Sequence, residues 1–236
     1  MLFEVTDNDR RIYESEIEPY LPERVIDVHS HVWLDRYKRH SEDEFNRVVS
    51  WPSLVAKENP IEDHDETYRL MFPGKEVSSL CFSSIKADDD IDALNDYVAE
   101  SVAKTNHEGL LFTPPWWSPE EVERKVETGG FRGIKVYLNL SPSYLPQAEI
   151  RIFDYLTHEH LEVMDRRGWI VMLHIPRHGR LKDPVNLHQM LEIEERYPNA
   201  QLIIAHVGRA YCREDVGDAF EVLGSTKRMV FDFSAN

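Results

Sequence analysis

The run Asp27-Val28-His29-Ser30-His31 places two imidazoles two residues apart, directly after the short apolar stretch Val25-Ile26. Along an extended strand, side chains two apart point the same way and stand about 7 Å from one another. Asp27, His29 and His31 are therefore expected to share one face, with both imidazoles turned toward a single metal ion. Histidine is a common zinc ligand, binding at about 2.0–2.1 Å. A lone His-x-His pair also occurs on ordinary surfaces, so the metal reading requires other histidines to converge on it.

His174 ends the apolar run Ile170-Val171-Met172-Leu173, and His206 ends Leu202-Ile203-Ile204-Ala205. Lys135 sits inside Ile134-Lys135-Val136, a polar residue where the pattern calls for an apolar one. Taken singly, each histidine reads as a hydrogen-bonded core or rim residue, and Lys135 as a side chain snorkelling from its strand end. Taken together, His29, His31, His174 and His206 occupy equivalent ends of three apolar strands, and one metal site accounts for all of them. The remaining histidines, His40, His64, His107, His158, His160, His178 and His188, fall in expected loops or helices. His158 and His160 are two apart on a helix, do not face each other, and are assigned to the surface.

The elements that must position these groups alternate along the chain. Expected strands span 25–29, 77–82, 109–113, 133–138, 169–174, 201–206 and 229–233. Between most of them lie segments of helical period. Ile91, Leu94, Val98 and Val102 form one apolar stripe. Ser118-Pro119-Glu120-Glu121 is a helix start with a capping box, proline suiting the first turn. Ile150, Phe153, Leu161 and Met164 form another stripe, stopped at Arg166-Arg167-Gly168 by cations and a glycine. Asp183-Pro184 opens the next helix, and Val216, Ala219, Phe220 and Leu223 mark the last.

Strands alternating with helices imply βα units and a parallel sheet. No Gly-x-Gly-x-x-Gly turn follows the first strand, which favours a TIM-type (β/α)8 barrel over a doubly wound sheet. The reading is one barrel domain over 1–236, with an inserted helix or lid at about 33–74. Such a barrel usually needs about 250 residues, and this chain stops after its seventh strand. The expectation is a chain shortened from a longer protein, with strand eight missing.

Net charge is −16, from 43 acidic and 27 basic residues, which argues against general nucleic-acid binding. The apolar fraction of 42% is that of a folded globular chain. Cys81 and Cys212 are unclustered, fit a reducing compartment, and are expected to be small buried hydrophobes. The charged N-terminus lacks a signal-peptide core, and no run approaches the ~20 apolar residues of a membrane span. A cytoplasmic protein without nucleic-acid or membrane partners is expected, with homo-oligomerisation left open.

The chain resembles the amidohydrolase superfamily, in its amidohydrolase-related (family 2) branch of metal-dependent hydrolases and decarboxylases. The likeness rests on Asp27-Val28-His29-Ser30-His31, Phe131-Arg132-Gly133-Ile134-Lys135, His174 after Val171-Met172-Leu173, and Ile203-Ile204-Ala205-His206-Val207-Gly208, over roughly residues 25–234. It implies a distorted barrel holding one divalent ion, zinc or alternatively manganese. His29, His31 and His174 would be ligands, and His206 a catalytic acid–base or substrate-polarising group. The family's strand-eight aspartate has no counterpart here. Asp232 lies on strand seven, where the family often has a structural aspartate. Without the final carboxylate this chain is expected to bind metal weakly and not to turn over. A carboxylated Lys135 bridging two ions, as in other branches, fits less well with a mononuclear branch.

The implied chemistry is hydrolysis of a C–O or C–N bond in a small carbonyl compound, a lactone, amide or ester bearing a carboxylate. Lys135 and Arg209 are the expected substrate-binding residues, joined by Arg177, with Trp33, Trp116 and Trp117 after strand ends to take a flat ring. Packing of the tryptophans and solvation of the arginines is the equally weighted alternative. A non-oxidative decarboxylase of an aromatic or unsaturated acid is the rival, and a non-catalytic barrel is the third reading.

Overall fold

The computed structural model describes residues 2–39, 56–86 and 88–234. Its strands are β1 (Arg24–His31), β2 (Glu76–Phe82), β3 (Glu108–Gly109), β4 (Leu111–Phe112), β5 (Gly133–Val136), β6 (Ile170–Leu173), β7 (Gln201–Ile204) and β8 (Met229–Phe231). Every ladder between them is parallel, in the orders β1-β2-β3 and β4-β5-β6-β7-β8. The expected strand 109–113 is divided at Leu110, so that β3 pairs with β2 and β4 with β5. The Leu110 N–H donates to the Cys81 carbonyl at 2.8 Å, and the Arg132 N–H donates to the Gly109 carbonyl at 2.8 Å. These bonds join the two ladders into one curved parallel wall. Among the described residues β8 and β1 share no ladder, so the barrel is open along that seam.

The helices are α1 (Asp7–Ile12), α2 (Ile61–Met71), α3 (Ile91–Val102), α4 (Pro119–Thr128), α5 (His158–Arg167), α6 (Pro184–Arg196) and the short α7 (Ala219–Leu223). Three of their ends follow the expected capping chemistry, while Val216, expected on the last helix, lies in a separate short turn, Arg213–Val216, cut off from α7 at Gly217. The Ser118 side chain accepts the Glu121 N–H at the start of α4, and Asp183 accepts the Val185 N–H before Pro184 of α6. Gly168 ends α5 in the left-handed region, at φ 65°, which glycine adopts without a Cβ penalty. Ile150 and Phe153, expected in the stripe of α5, instead precede that helix.

Period-two alternation divides the strands between two cores. Ile134, Val136, Val171, Leu173, Leu202 and Ile204 point outward and pack with Leu161, Met164, Met190 and Ile193 of the helices. Leu80, Phe82, Leu110, Met172 and Ile203 point inward and fill the floor of the barrel. Lys135 belongs to this inward set by register, opposite Met172.

β1 departs from simple alternation. Asp27 pairs with Ser79, but Ser30 pairs with Cys81, so Val28 and His29 together oppose Leu80. This one-residue bulge corrects the expectation that Asp27 shares a face with His29 and His31. Asp27 turns outward to α2, where its carboxylate accepts the Tyr68 hydroxyl at 2.8 Å and the His29 N–H at 2.9 Å.

The described part of the segment 33–74 contains α2, which packs on the outside of β1 and β2. The remainder, including His40, lies outside the described residues. The loop leading there is tied down by a buried ion pair between Lys38 and Asp89. Among the described residues no helix is long and apolar enough to cross a membrane. Cys81 is buried as expected, whereas Cys212 is exposed, its thiol donating to Asp215.

Candidate metal centre

The bulge in β1 and the ends of β6 and β7 bring the four expected histidines together. Ring centroids of His29 and His31 are 5.3 Å apart, those of His29 and His206 4.6 Å, and those of His174 and His206 5.1 Å. His29, His206 and Asp232 form a compact donor group, with ligand atoms within 4.8 Å of one another. His31 and His174 flank it on either side. Phe82 packs edge-on beneath both His29 and His31, and Tyr137 lies beside His174, at 5.3 Å between ring centroids.

Hydrogen bonds decide which nitrogens are free. The Nδ1–H of His29 donates to Asp232 Oδ2 at 2.9 Å, which leaves the lone pair on Nε2. That Nε2 is buried and has no protein partner, and neither has the buried Nδ1 of His174. The Nδ1–H of His206 donates to the Ser234 carbonyl at 2.8 Å, so its Nε2 also carries a lone pair. Burial pushes the His29 imidazole down to about 4, the Lys135 ammonium adding to the effect against the Asp232 carboxylate. Burial likewise lowers His31, His174 and His206. The donor set is therefore neutral imidazole, the form that binds a divalent ion, and three of its nitrogens, His29 Nε2, His31 Nδ1 and His174 Nδ1, are buried without a partner. These residues fit such an ion.

His206 is held in an unusual way. His206, Val207, Gly208 and Arg209 have φ of 55°, 46°, 62° and 60°, a left-handed turn following β7. For L-residues this conformation costs roughly 1–2 kcal/mol each, most severely for β-branched Val207. The turn is fixed from β8: the His206 N–H donates to Asp232 Oδ1 at 3.1 Å, and the Val207 N–H to the Asp232 carbonyl at 2.8 Å. It is also packed tightly, since a Cβ on Gly208 would lie 2.7 Å from the Leu181 side chain.

Lys135 is fully buried, and its Nζ has no hydrogen-bond partner; it stands 4.8 Å and 4.7 Å from the Phe82 and Tyr137 ring centroids. Burial pushes its ammonium down to about 7, with the Asp232 charge opposing. It is a barrel-floor group of this site and does not snorkel. Arg209 ends the left-handed turn close enough to depress His174 and His206. Arg177 is engaged elsewhere, in an ion pair with Asp183 at 2.9 Å. Trp33 donates its indole N–H to the Lys57 carbonyl at 2.8 Å. Trp117 packs under Lys125, and Trp116 is exposed.

Two groupings go beyond the sequence reading, which names Asp232 only as a structural aspartate of the seventh strand. Asp232 and Ser234 orient His29 and His206, yet they lie more than 200 residues from His29 in sequence, and no local pattern announces the bond. His64 and His107, assigned to a helix and a loop, are buried against β1 and β2 with Asp65 between them. Both nitrogens of His107 are engaged: the Ser79 N–H points at Nδ1 at 3.0 Å, so Nε2 carries the proton that goes to Asp65 at 2.8 Å. His107 therefore has no lone pair to offer, and this cluster fastens α2 to the sheet. His160, expected on the surface, is also buried, its Nε2–H donating to the Trp117 carbonyl at 2.8 Å.

No curated protein matches this chain. Among solved structures, it is similar to a probable 2-pyrone-4,6-dicarboxylic acid hydrolase from Acinetobacter baumannii with citric acid bound. The TM-score is 0.55 at 15% identity, covering 89% of this chain and 70% of that one. A 4-oxalomesaconate hydratase from Rhodopseudomonas palustris gives 0.54 at 18% identity, over 88% and 73%. A 5-carboxyvanillate decarboxylase from Sphingomonas paucimobilis gives 0.50 at 14%, over 90% and 78%. At these identities the likeness is one of fold, the (β/α) barrel. The Amidohydrolase family model matches residues 26–236. The chain belongs to the amidohydrolase family.

Proposed function

We propose that this chain carries the site of a metal-dependent hydrolase that cleaves a C–O or C–N bond in a small carbonyl compound bearing a carboxylate. The observation that supports it best is the buried, partnerless Nε2 of His29, its lone pair set by Asp232 and surrounded by three further imidazoles. His29, His31 and His174 would hold one divalent ion, zinc or manganese. Bound there, the ion supplies a Lewis acid that polarises a carbonyl and acidifies water toward a pKa of ~7.

The protein's own groups do the rest. His206 is neutral because of burial, and its Nε2 lone pair is available to take a proton, since Nδ1–H is held by the Ser234 carbonyl. Returning that proton to the leaving oxygen or nitrogen completes a general base–acid cycle. Phe82 and Tyr137 wall the floor, and exclude water from the base of the site. Lys135, with no protein anion within hydrogen-bond reach, and Arg209 at the rim are the cations for a substrate carboxylate. The names of all three similar structures carry carboxylated compounds, which supports a carboxylate-bearing substrate, and one of the three is named as a hydrolase.

Decarboxylation is the second reading, favoured by the likeness to the carboxyvanillate decarboxylase. One experiment separates the two. The purified protein is reconstituted with Zn²⁺ or Mn²⁺ and offered carboxylated lactones, amides and aromatic acids in ¹⁸O-water. Label in the product supports hydrolysis, and CO₂ release without label supports decarboxylation. Failure to retain any divalent ion would refute both readings.

A further inference from the structure

We propose that Asp232 is the positioning residue of this site, one carboxylate that fixes the His29 tautomer and aims His206. The inference rests on the metal-centre reading. Its core is geometric: each oxygen of Asp232 does a different task, on opposite sides of the open seam.

Oδ2 accepts the His29 Nδ1–H at 2.9 Å, in a pair where both side chains are almost wholly buried, at 3% and 2% exposed. A carboxylate is acceptor-only, so the imidazole must present N–H to it and keep its lone pair on Nε2. Oδ1 accepts the His206 N–H at 3.1 Å, the Ser234 N–H at 3.0 Å and the Ser234 hydroxyl. It thereby anchors the first residue of the left-handed turn and the carbonyl-bearing Ser234 that sets the His206 tautomer. β1 and β8 share no backbone ladder among the described residues, so this side-chain bond links the first and last strands. Oδ1 already accepts three hydrogen bonds, and Oδ2 is held toward β1 by the His29 Nδ1–H. The role of Asp232 is to orient ligands, which typically tunes metal affinity by 10- to 100-fold.

Asp232→Asn tests this because the amide keeps the shape and loses the second acceptor. Its carbonyl oxygen can serve the His206 and Ser234 donors, but its NH₂ then faces His29 Nδ1. The imidazole is expected to move its proton to Nε2 and withdraw the lone pair from the site. Two measurements read this. In the metal-free protein, ¹⁵N NMR of the histidine rings should show His29 as the Nδ1–H tautomer, and as Nε2–H in D232N. In a Co²⁺ titration followed by its visible spectrum, D232N should bind 10- to 100-fold more weakly.

Ser234→Ala, which leaves the Asp232–His29 bond in place, should leave the His29 tautomer unchanged. A His29 already in the Nε2–H form in the unaltered protein would overturn the proposal, even if D232N does not fold. Retention of both the tautomer and the cobalt affinity in D232N would overturn it equally. If the unaltered protein binds no cobalt while its tautomer follows the prediction, the metal-centre reading fails and the positioning of His29 stands.

Discussion

Asn95 offers a sharp test of how the wall behind the site is held together. It lies on α3, 3% exposed, and its side chain replaces a missing strand. The Thr113 N–H bonds the Lys135 carbonyl of β5, so the N–H and C=O of Phe112 point the other way. There β2 has already ended. Asn95 fills the gap: its Nδ2 donates to the Phe112 carbonyl at 2.9 Å, and its Oδ1 accepts the Phe112 N–H at 2.9 Å. Phe112 itself is fully buried and stacks on Tyr137 at 5.5 Å, on the wall of the candidate site.

Asn95→Ala would strand one buried donor and one buried acceptor. Each orphaned group costs roughly 1–3 kcal/mol, giving about 2–6 kcal/mol before relief. A water admitted to the vacated space can bridge both groups, which brings the expectation to about 2–4 kcal/mol. Asn95→Leu fills that space with methyl groups and shuts water out, so it should cost at least as much. The hydrophobic effect alone predicts the opposite order, since leucine buries more apolar surface. Urea unfolding of both variants decides between them. With a slope of about 3 kcal/mol/M, the midpoint should fall by about 1 M. An N95L midpoint at or above that of the unaltered protein would refute the reasoning.

Gly133 has φ +152°, and a Cβ there would lie 1.9 Å from the Ile170 carbonyl oxygen. Gly133→Ala should therefore fail to give soluble folded protein, which expression yield and circular dichroism report. Lys135 titrates near 7 in the folded chain against about 10.4 when unfolded. The unfolded state binds more protons between those values, so stability of the metal-free protein should rise with pH across that window. Lys135→Met should abolish that slope and be the more stable protein at pH 7, as thermal melts at stepped pH will show. Replacing both His29 and His31 with alanine should remove the bound divalent ion, read by elemental analysis. Unchanged stoichiometry would exclude these ligands. The Tyr155 hydroxyl donates to the His174 carbonyl at 2.8 Å in a fully buried position. Tyr155→Phe should cost about 1–3 kcal/mol in the same urea assay.

The alternation of strands and helices is legible along the chain, because burial on a parallel sheet and on a helix face imposes periods of two and 3.6. So are the helix ends at Ser118, Asp183 and Gly168, where capping chemistry is local. The sequence by itself also nominated His29, His31, His174 and His206, since polar groups at the ends of apolar strands stand out against that period. Tertiary structure alone decided how those groups are oriented. The bulge that turns Asp27 outward arises from pairing with β2, and its sequence keeps the simple alternation that suggested a shared face. The Asp232–His29 bond joins residues far apart in the chain, and the left-handed turn at His206 is held by Asp232 and by packing on Leu181. His160, expected on the surface, is buried, because one residue's burial depends on which neighbours the fold brings over it. Periodicity and capping are short-range and can be read along a chain. Tautomers, acceptor geometry and strain are set by contacts the chain makes only once folded.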